Sequence, residues 1–270
     1  MAVKTQGDFH GDALMSREVD GFALRETVHQ PGIKIPKHSH ERAHLAFVLR
    51  GVFEEKCESK TLECKPLSVS FLAPGMTHSD DFGNGVHCLL VEIAPQRLER
   101  LRDALPLDKP IFLDGGVSAW LAMRLYNEAR QTDDASSLAV EGLIMEILAE
   151  VSRQRTTVSK LKLPHWLEQA RELIHAQFKK TLTHEHIANL VSVHPVHLAN
   201  MFRQHYKCTI GEYVRRLRIE HACREISTSD ASLVEIALAS GFSDQSHFSK
   251  VFKRLAGMTP TEFRTNLRKP

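Results

Sequence analysis

The sequence predicts an α+β chain of two domains, a β-rich N-terminal domain with flanking helices followed by an all-α C-terminal domain. Three observations carry that expectation. From Gly21 to Ile93 the apolar residues come in short runs bounded by Gly, Pro or charged residues, which is the texture of strands. Beyond Pro95 the apolar period changes from two to that of a helix. Between residues 183 and 255 one helix–bend–helix pattern occurs twice.

Length and composition set the bounds. With 270 residues, 42% of them hydrophobic, the chain is long enough for two domains that each bury a core. Its net charge of +2 hides an uneven spread: residues 160–270 hold 17 Lys and Arg against 10 Asp and Glu, which leaves 18 against 23 for residues 1–159. The basic half suits a polyanionic partner, although an excess of this size also fits a merely solvated surface. The five cysteines, Cys57, Cys64, Cys88, Cys208 and Cys223, are odd in number and include no CxxC pair. A disulfide framework is therefore not expected, and a reducing, cytoplasmic compartment is. No apolar run approaches the roughly 18 residues of a membrane span, so no membrane partner is expected.

Residues 1–20 are polar without a clear period and read as an N-terminal arm. Residues 21–152 form the first domain, with strands at Phe22–Val28, Leu45–Leu49, Thr61–Cys64, Ser68–Leu72 and His87–Ile93. Many short strands at this spacing predict an antiparallel β-barrel or sandwich. Inside lies a histidine constellation. Gly32 is followed, after five residues, by His38-Ser39-His40, then by His44 and Gly51, and later by Pro74-Gly75-Met76-Thr77-His78.

That spacing resembles the two motifs of the cupin barrels, with His44 at the place of the usual Glu, Pro74 adjoining Gly75, and Phe82 where the second motif ends in Asn. In metal-dependent cupins the matching residues hold a divalent metal. The resemblance therefore implies that His38, His40, His44 and His78 converge on a metal or a small effector. Cupin-type sensors also keep such histidines as metal-free pocket lining, in which case no cofactor is required. The motifs place no further acid, base or nucleophile, so a metal-dependent cupin enzyme, or a metal sensor, fused to a second module is the alternative reading. Cys64 and Cys88 fall in strands and read as small core residues.

One helix begins near Ser118, with Trp120, Leu121, Met123 and Leu125. Another enters at Ser136-Ser137 and carries a wide stripe of Leu138, Leu143, Ile144, Ile147, Leu148 and Val151. Such helices either cover the barrel or pair between two copies in a homodimer. Residues 153–163 are polar, basic and aperiodic, the expected linker. The second domain, 164–270, opens with a helix after Pro164 whose buried stripe is Trp166, Leu167, Ala170, Leu173 and Ile174.

Two helix-turn-helix units follow, at about 183–206 and 232–255, joined by a helix at about 210–226. Ile187, Ala188, His197, Leu198, Met201, Phe202 and Arg203 recur as Ile236, Ala237, His247, Phe248, Val251, Phe252 and Lys253. The offset is 49 residues before the bend and 50 after it. Thr183 and Ser243 are the expected helix caps, and Gly241 supplies the positive φ of its bend. Either second helix alone reads equally well as an ordinary solvated surface helix. The duplication favours one duplex-reading module, its units held apart by a spacer helix of about 25 Å.

Residues 164–267 resemble the DNA-binding domain of the AraC/XylS family of bacterial transcription regulators. The resemblance is carried by Ile236-Ala237, Gly241-Phe242-Ser243-Asp244-Gln245-Ser246-His247-Phe248, Phe252 and Gly257-Met258-Thr259-Pro260-Thr261-Glu262-Phe263-Arg264. It implies a sequence-specific regulator and not an enzyme, with an effector-binding cupin-like sensor, promoter DNA as partner, a homodimer, and RNA polymerase as a further partner if the protein activates. It also implies that both second helices enter successive major-groove segments. By position, Val196, Ala199, Asn200, Gln245, Ser246, Ser249 and Lys250 are then the base-contacting candidates. Arg203, Arg215, Arg218, Ser243, Lys253 and Arg254 are the phosphate candidates. The first unit departs from the pattern, with Ser192 for the turn glycine and His194 for a Ser cap. The exposed face of the first unit also has few hydrogen-bonding groups, Val196 and Ala199 offering only apolar contact, which predicts that the second unit makes more of the polar base contacts.

Overall fold

The computed structural model describes residues 4–5, 11–57, 60–105, 109–157 and 163–268. The chain divides into two compact units, residues 1–158 with 256–270, and residues 159–255. The fold class is the expected one, a β-rich N-terminal region and a helical C-terminal region.

In the first unit β1 (Lys4–Thr5), β4 (Ile33–Ser39), β9 (His78–Phe82), β6 (Phe53–Cys57) and β7 (Lys60–Cys64) form one sheet in that order. The order of the second is β11 (Ile111–Asp114), β8 (Ser68–Leu72), β5 (Ala43–Gly51), β10 (Val86–Ile93), β3 (Phe22–His29) and β2 (Asp12–Val19). Among the described residues only β1 with β4 pairs in parallel. Alternation in β6 sends Phe53, Glu55 and Cys57 inward and Glu54 and Lys56 outward. Phe53 packs with Ile35, Ala46, Val48, Phe82, Cys88 and Leu90 into a shared core.

Residues 12–19, expected within a polar arm, instead pair as β2 along β3. An edge strand with one wet face needs few apolar residues, which is why its sequence, DALMSREV, lacks a strand signature. Residues 1–3 and 6–10 of that arm and residues 158–162 of the expected linker lie outside the described residues. Residues 153–157 of the linker continue a helix.

That helix, α3 (Ser136–Thr157), packs against α2 (Gly116–Glu128), while α1 (Pro95–Leu101) follows β10. Every residue of β10 is buried, as two-sided packing requires. Glu26, fully buried on β3, lies 2.8 Å from His87 Nε2 and accepts from Tyr126 Oη at 2.9 Å and from Arg130. Burial pushes its pKa up, but the His87 hydrogen bond and the Arg130 charge outweigh that and hold it below the usual carboxylate range. The last helix, α10 (Pro260–Arg268), buries Phe263 and Leu267.

The second unit comprises α4 (His165–Gln177), α5 (His184–Leu190), α6 (Pro195–Tyr206), α7 (Ile210–Thr228), α8 (Leu233–Ala239) and α9 (Gln245–Ala256). One core gathers Leu167, Ile174, Ile187, Ala188, Leu198, Phe202 and Val214. Farther along α7, Ile219, Ala222 and Cys223 are fully buried, as are Ala237, Phe248 and Phe252. Capping boxes start α7, through Thr209 and Glu212, and α8, through Ser232 and Glu235. All five cysteines are buried thiols outside any disulfide. Among the described residues no helix is long and apolar enough to cross a membrane.

Candidate nucleic-acid interface and histidine pocket

The two bends of the helical unit are built alike. Ser192 N donates to Asn189 O at 3.3 Å and Val193 N to Ala188 O at 3.0 Å; the matching bonds, Gly241 N to Leu238 O and Phe242 N to Ala237 O, are 2.9 and 3.0 Å. Ser192 and Gly241 both have positive φ, 56° and 87°. Glycine is required at 241, since a Cβ there would stand 2.5 Å from the Lys179 carbonyl oxygen.

Helix α6 is capped by an imidazole: His194 Nδ1 accepts from Val196 N at 3.3 Å. At α9 the cap is Asp244, whose Oδ1 accepts from His247 N at 2.7 Å. The expected cap, Ser243, instead donates its hydroxyl to Asp244 Oδ2 at 3.0 Å. The second bend is one residue longer, so Asp244 reaches the capping position, and a carboxylate is the stronger acceptor. The bond to His247 and that from Ser243 hold the Asp244 carboxyl below its usual range.

The candidate contact residues fall on the outer faces. On α6 Val196, Asn200 and Arg203 are exposed and Ala199 is half-buried, while Leu198 and Phe202 face the core. On α9 Gln245, Ser246, Lys250, Lys253 and Arg254 are exposed, Ser249 is half-buried, and Phe248, Val251 and Phe252 are buried. Ser243 is exposed and Arg215 half-buried. Arg218 is engaged inside the unit. Its Nε donates to Phe178 O at 2.7 Å and its terminal nitrogen to Lys180 O at 2.8 Å, with the guanidinium 5.9 Å from the Phe242 ring centroid. It brackets the end of α4 to the second bend, a role that helical periodicity gives no sign of. Gln204 and His247 are also exposed beside these faces, and neither is among the contact candidates read from the sequence.

In the β-rich unit the four candidate histidines come together, all buried. The ring centroids of His38 and His78 are 4.2 Å apart, those of His40 and His44 4.7 Å, and those of His44 and His78 5.8 Å. His38 Nε2 lies 3.1 Å from His40 Nε2. Strand register explains the convergence: His78 stands opposite His38 on β4 and Cys57 on β6. Two residues on, Asp80 stands opposite Glu55. Both acids line the same cavity of about 50 Å³, with Ala46, Ser70, Phe82, Cys88 and Leu90.

Sequence motifs do not point to Glu55 or Asp80; the inward alternation of β6 and β9 around His78 is the available signal. The electrostatics are those of a buried pocket. Burial pushes the Glu55 carboxyl up to about 7 although the Cys64 and Cys57 thiols donate to it, each at 3.8 Å. Burial and then the Glu55 charge hold Asp80 well above its usual range. Burial and the neighbouring imidazoles, His40 first, hold His44 well below its own. Burial and then the His38 charge push His78 down to about 3. Ligand atoms of His38, His40 and His78, and of Glu55, His78 and Asp80, cluster closely enough to hold a cation.

Residues 23–148 match the family model of the AraC-like ligand binding domain, and residues 187–266 match that of a helix-turn-helix domain. Over 80 residues the chain is 40% identical to the probable transcription factor PqrA of Proteus vulgaris, covering 30% of this chain and 66% of that protein. Over 147 residues it is 29% identical to the transcriptional activator RhaR of Yersinia pseudotuberculosis, covering 53% of this chain and 51% of that one. The matches thus span about two thirds or less of these relatives' own length. Among solved structures, ToxT from Vibrio cholerae aligns over 93% of this chain and 99% of its own, with 13% identity and a TM-score of 0.41.

Proposed function

The chain belongs to the AraC family of transcription regulators, and on that premise we propose that it binds promoter DNA through α6 and α9 under the control of an effector taken up by its β-rich unit. The observation that carries this reading is the duplicated bend, with Ser192 and Gly241 at matching positions and an exposed face on each following helix. Gln245, Ser246, Ser249 and Lys250 offer donors and acceptors to base edges, while Val196 and Ala199 offer apolar contact to thymine methyls and Asn200 a polar one. Arg203, Lys253 and Arg254 are exposed cations suited to phosphates, with Ser243 beside them and half-buried Arg215 as a further candidate. Arg218 contributes to that surface indirectly, by fixing the second bend.

The histidine pocket is the proposed effector site, working in the cytoplasm. At about 50 Å³ it holds a few water-sized groups at roughly 10–15 Å³ each, so the occupant is an ion or a very small molecule. Helices α2 and α3 are the proposed homodimer contact, and RNA polymerase is the further partner if the protein activates. A regulator and not an enzyme is the reading that family membership supports.

The test is genome-wide mapping of bound sites in the native host, followed by binding measurements on the recovered fragments. The proposal expects tight, salt-dependent binding that prefers those fragments to unrelated DNA. Equal affinity for both would contradict it.

A further inference from the structure

We propose that the pocket binds one divalent transition-metal ion through His38, His40, His78 and Asp80, with Asp80 and not His44 as the fourth ligand. The inference rests on the reading of the β-rich unit as the effector-binding one and names the chemistry of its ligand.

Three imidazoles already aim inward. His38 Nδ1 lies 3.0 Å from Pro36 O and His78 Nδ1 3.2 Å from Met76 O. An N–H donated to each carbonyl leaves the Nε2 lone pair facing the centre, the arrangement by which an outer hydrogen bond orients a metal-binding histidine. His38 Nε2 and His40 Nε2 stand 3.1 Å apart, near the roughly 3.3 Å edge of a tetrahedron with ~2.0 Å bonds.

Asp80 closes the set. Its Oδ2 is 3.9 Å from both His38 Nε2 and His78 Nε2. Asp80 shares one cluster of close ligand atoms with His78, and His78 shares the other with His38 and His40, so the proposed cage joins the two clusters through His78. His44 belongs to neither cluster of close ligand atoms.

Charge points the same way. Two buried carboxyls, Asp80 and Glu55, line the pocket, and among the described residues no Lys or Arg does. A doubly charged cation supplies the missing positive charge, with Asp80 as ligand and Glu55 held beside it by the Cys57 and Cys64 thiols. Imidazole nitrogens select a first-row transition ion over calcium or magnesium. Four protein ligands fill a tetrahedral ion, so such a site senses the ion and leaves no position for a substrate.

The experiment uses the full chain without a histidine tag, stripped with chelator and titrated with Co²⁺ by visible absorption and with Zn²⁺ by calorimetry. One ion per chain with a tetrahedral Co²⁺ spectrum is the expected result. Asp80→Asn weakens binding at least about tenfold, and Asp80→Glu recovers part of it. His44→Gln stays within about threefold of the parent, less than any ligand loss. Circular dichroism confirms that each variant is folded. Absence of stoichiometric metal in the parent, parental affinity in Asp80→Asn, or a loss in His44→Gln equal to that in Asp80→Asn overturns the assignment. DNA affinity of the metal-free chain, measured separately, tests the regulator reading itself, so the two failures are distinguishable.

Discussion

Ser192 and Gly241 hold the same place in two bends 49 residues apart, and both carry positive φ, 56° and 87°. A serine pays a conformational cost there that a glycine does not. We predict that Ser192→Gly stabilises the helical unit by about 0.5–1 kcal/mol. Gly241→Ala acts in the other direction and more strongly, by at least about 2 kcal/mol, because left-handed strain adds to a Cβ placed against the Lys179 carbonyl. Urea unfolding of the two variants beside the parent measures both, and a destabilised Ser192→Gly would contradict the equivalence.

The His194 cap makes a second prediction. Its Nδ1 does the work of a side-chain oxygen toward Val196 N, so His194→Ser or His194→Asp preserves the start of α6. His194→Ala loses about 1 kcal/mol. Thermal unfolding ranks the three, and an alanine variant as stable as the serine one shows that the imidazole contributes nothing.

Lys250 and Arg203 should divide by role. Lys250→Ala relaxes sequence preference, costing about 1–3 kcal/mol on the cognate site and little on unrelated DNA. Arg203→Ala weakens all DNA alike and lowers the salt slope by about one. Titrations of both variants at several salt concentrations against cognate and unrelated duplexes give the comparison. Indistinguishable profiles would remove the division between base and phosphate contacts.

Glu55 predicts a pH signature in the metal-free chain. Its carboxyl rises from the ordinary 4.5 to about 7 in the fold, so the folded state holds a proton that the unfolded state has released. No cost exists below pH about 4.5; it grows as pH rises and is complete above about 7. Glu55→Gln should therefore match the parent near pH 4.5 and exceed it at pH 8 by up to about 3 kcal/mol. An equal difference at both pH values would mean that packing, not ionisation, separates them.

How much of this is legible in the sequence differs between the two halves. Helical stripes such as Leu198, Met201 and Phe202 are local, and their repetition at Phe248, Val251 and Phe252 makes the duplicated architecture visible in the residue order itself. The histidines are legible as a spaced motif. Glu55 and Asp80 are not, because alternation says only that a strand residue points inward. Which inward residues meet depends on the register that sets Asp80 opposite Glu55 and His78 opposite His38. β2 escapes notice because an edge strand satisfies its backbone through pairing without an apolar signature. The bracket made by Arg218 joins residues some 40 positions apart, beyond the reach of any local pattern.

The most direct test of the account is a hydroxyl-radical and methylation-interference footprint on a recovered promoter fragment. Two readers held by one α7 predict two contacted major-groove segments on one face of the duplex, centred about 10 base pairs apart. The segment assigned to α9 should show the stronger base-specific interference and lose it in Lys250→Ala. A single contacted segment, or interference unchanged by that substitution, would contradict the two-headed reading.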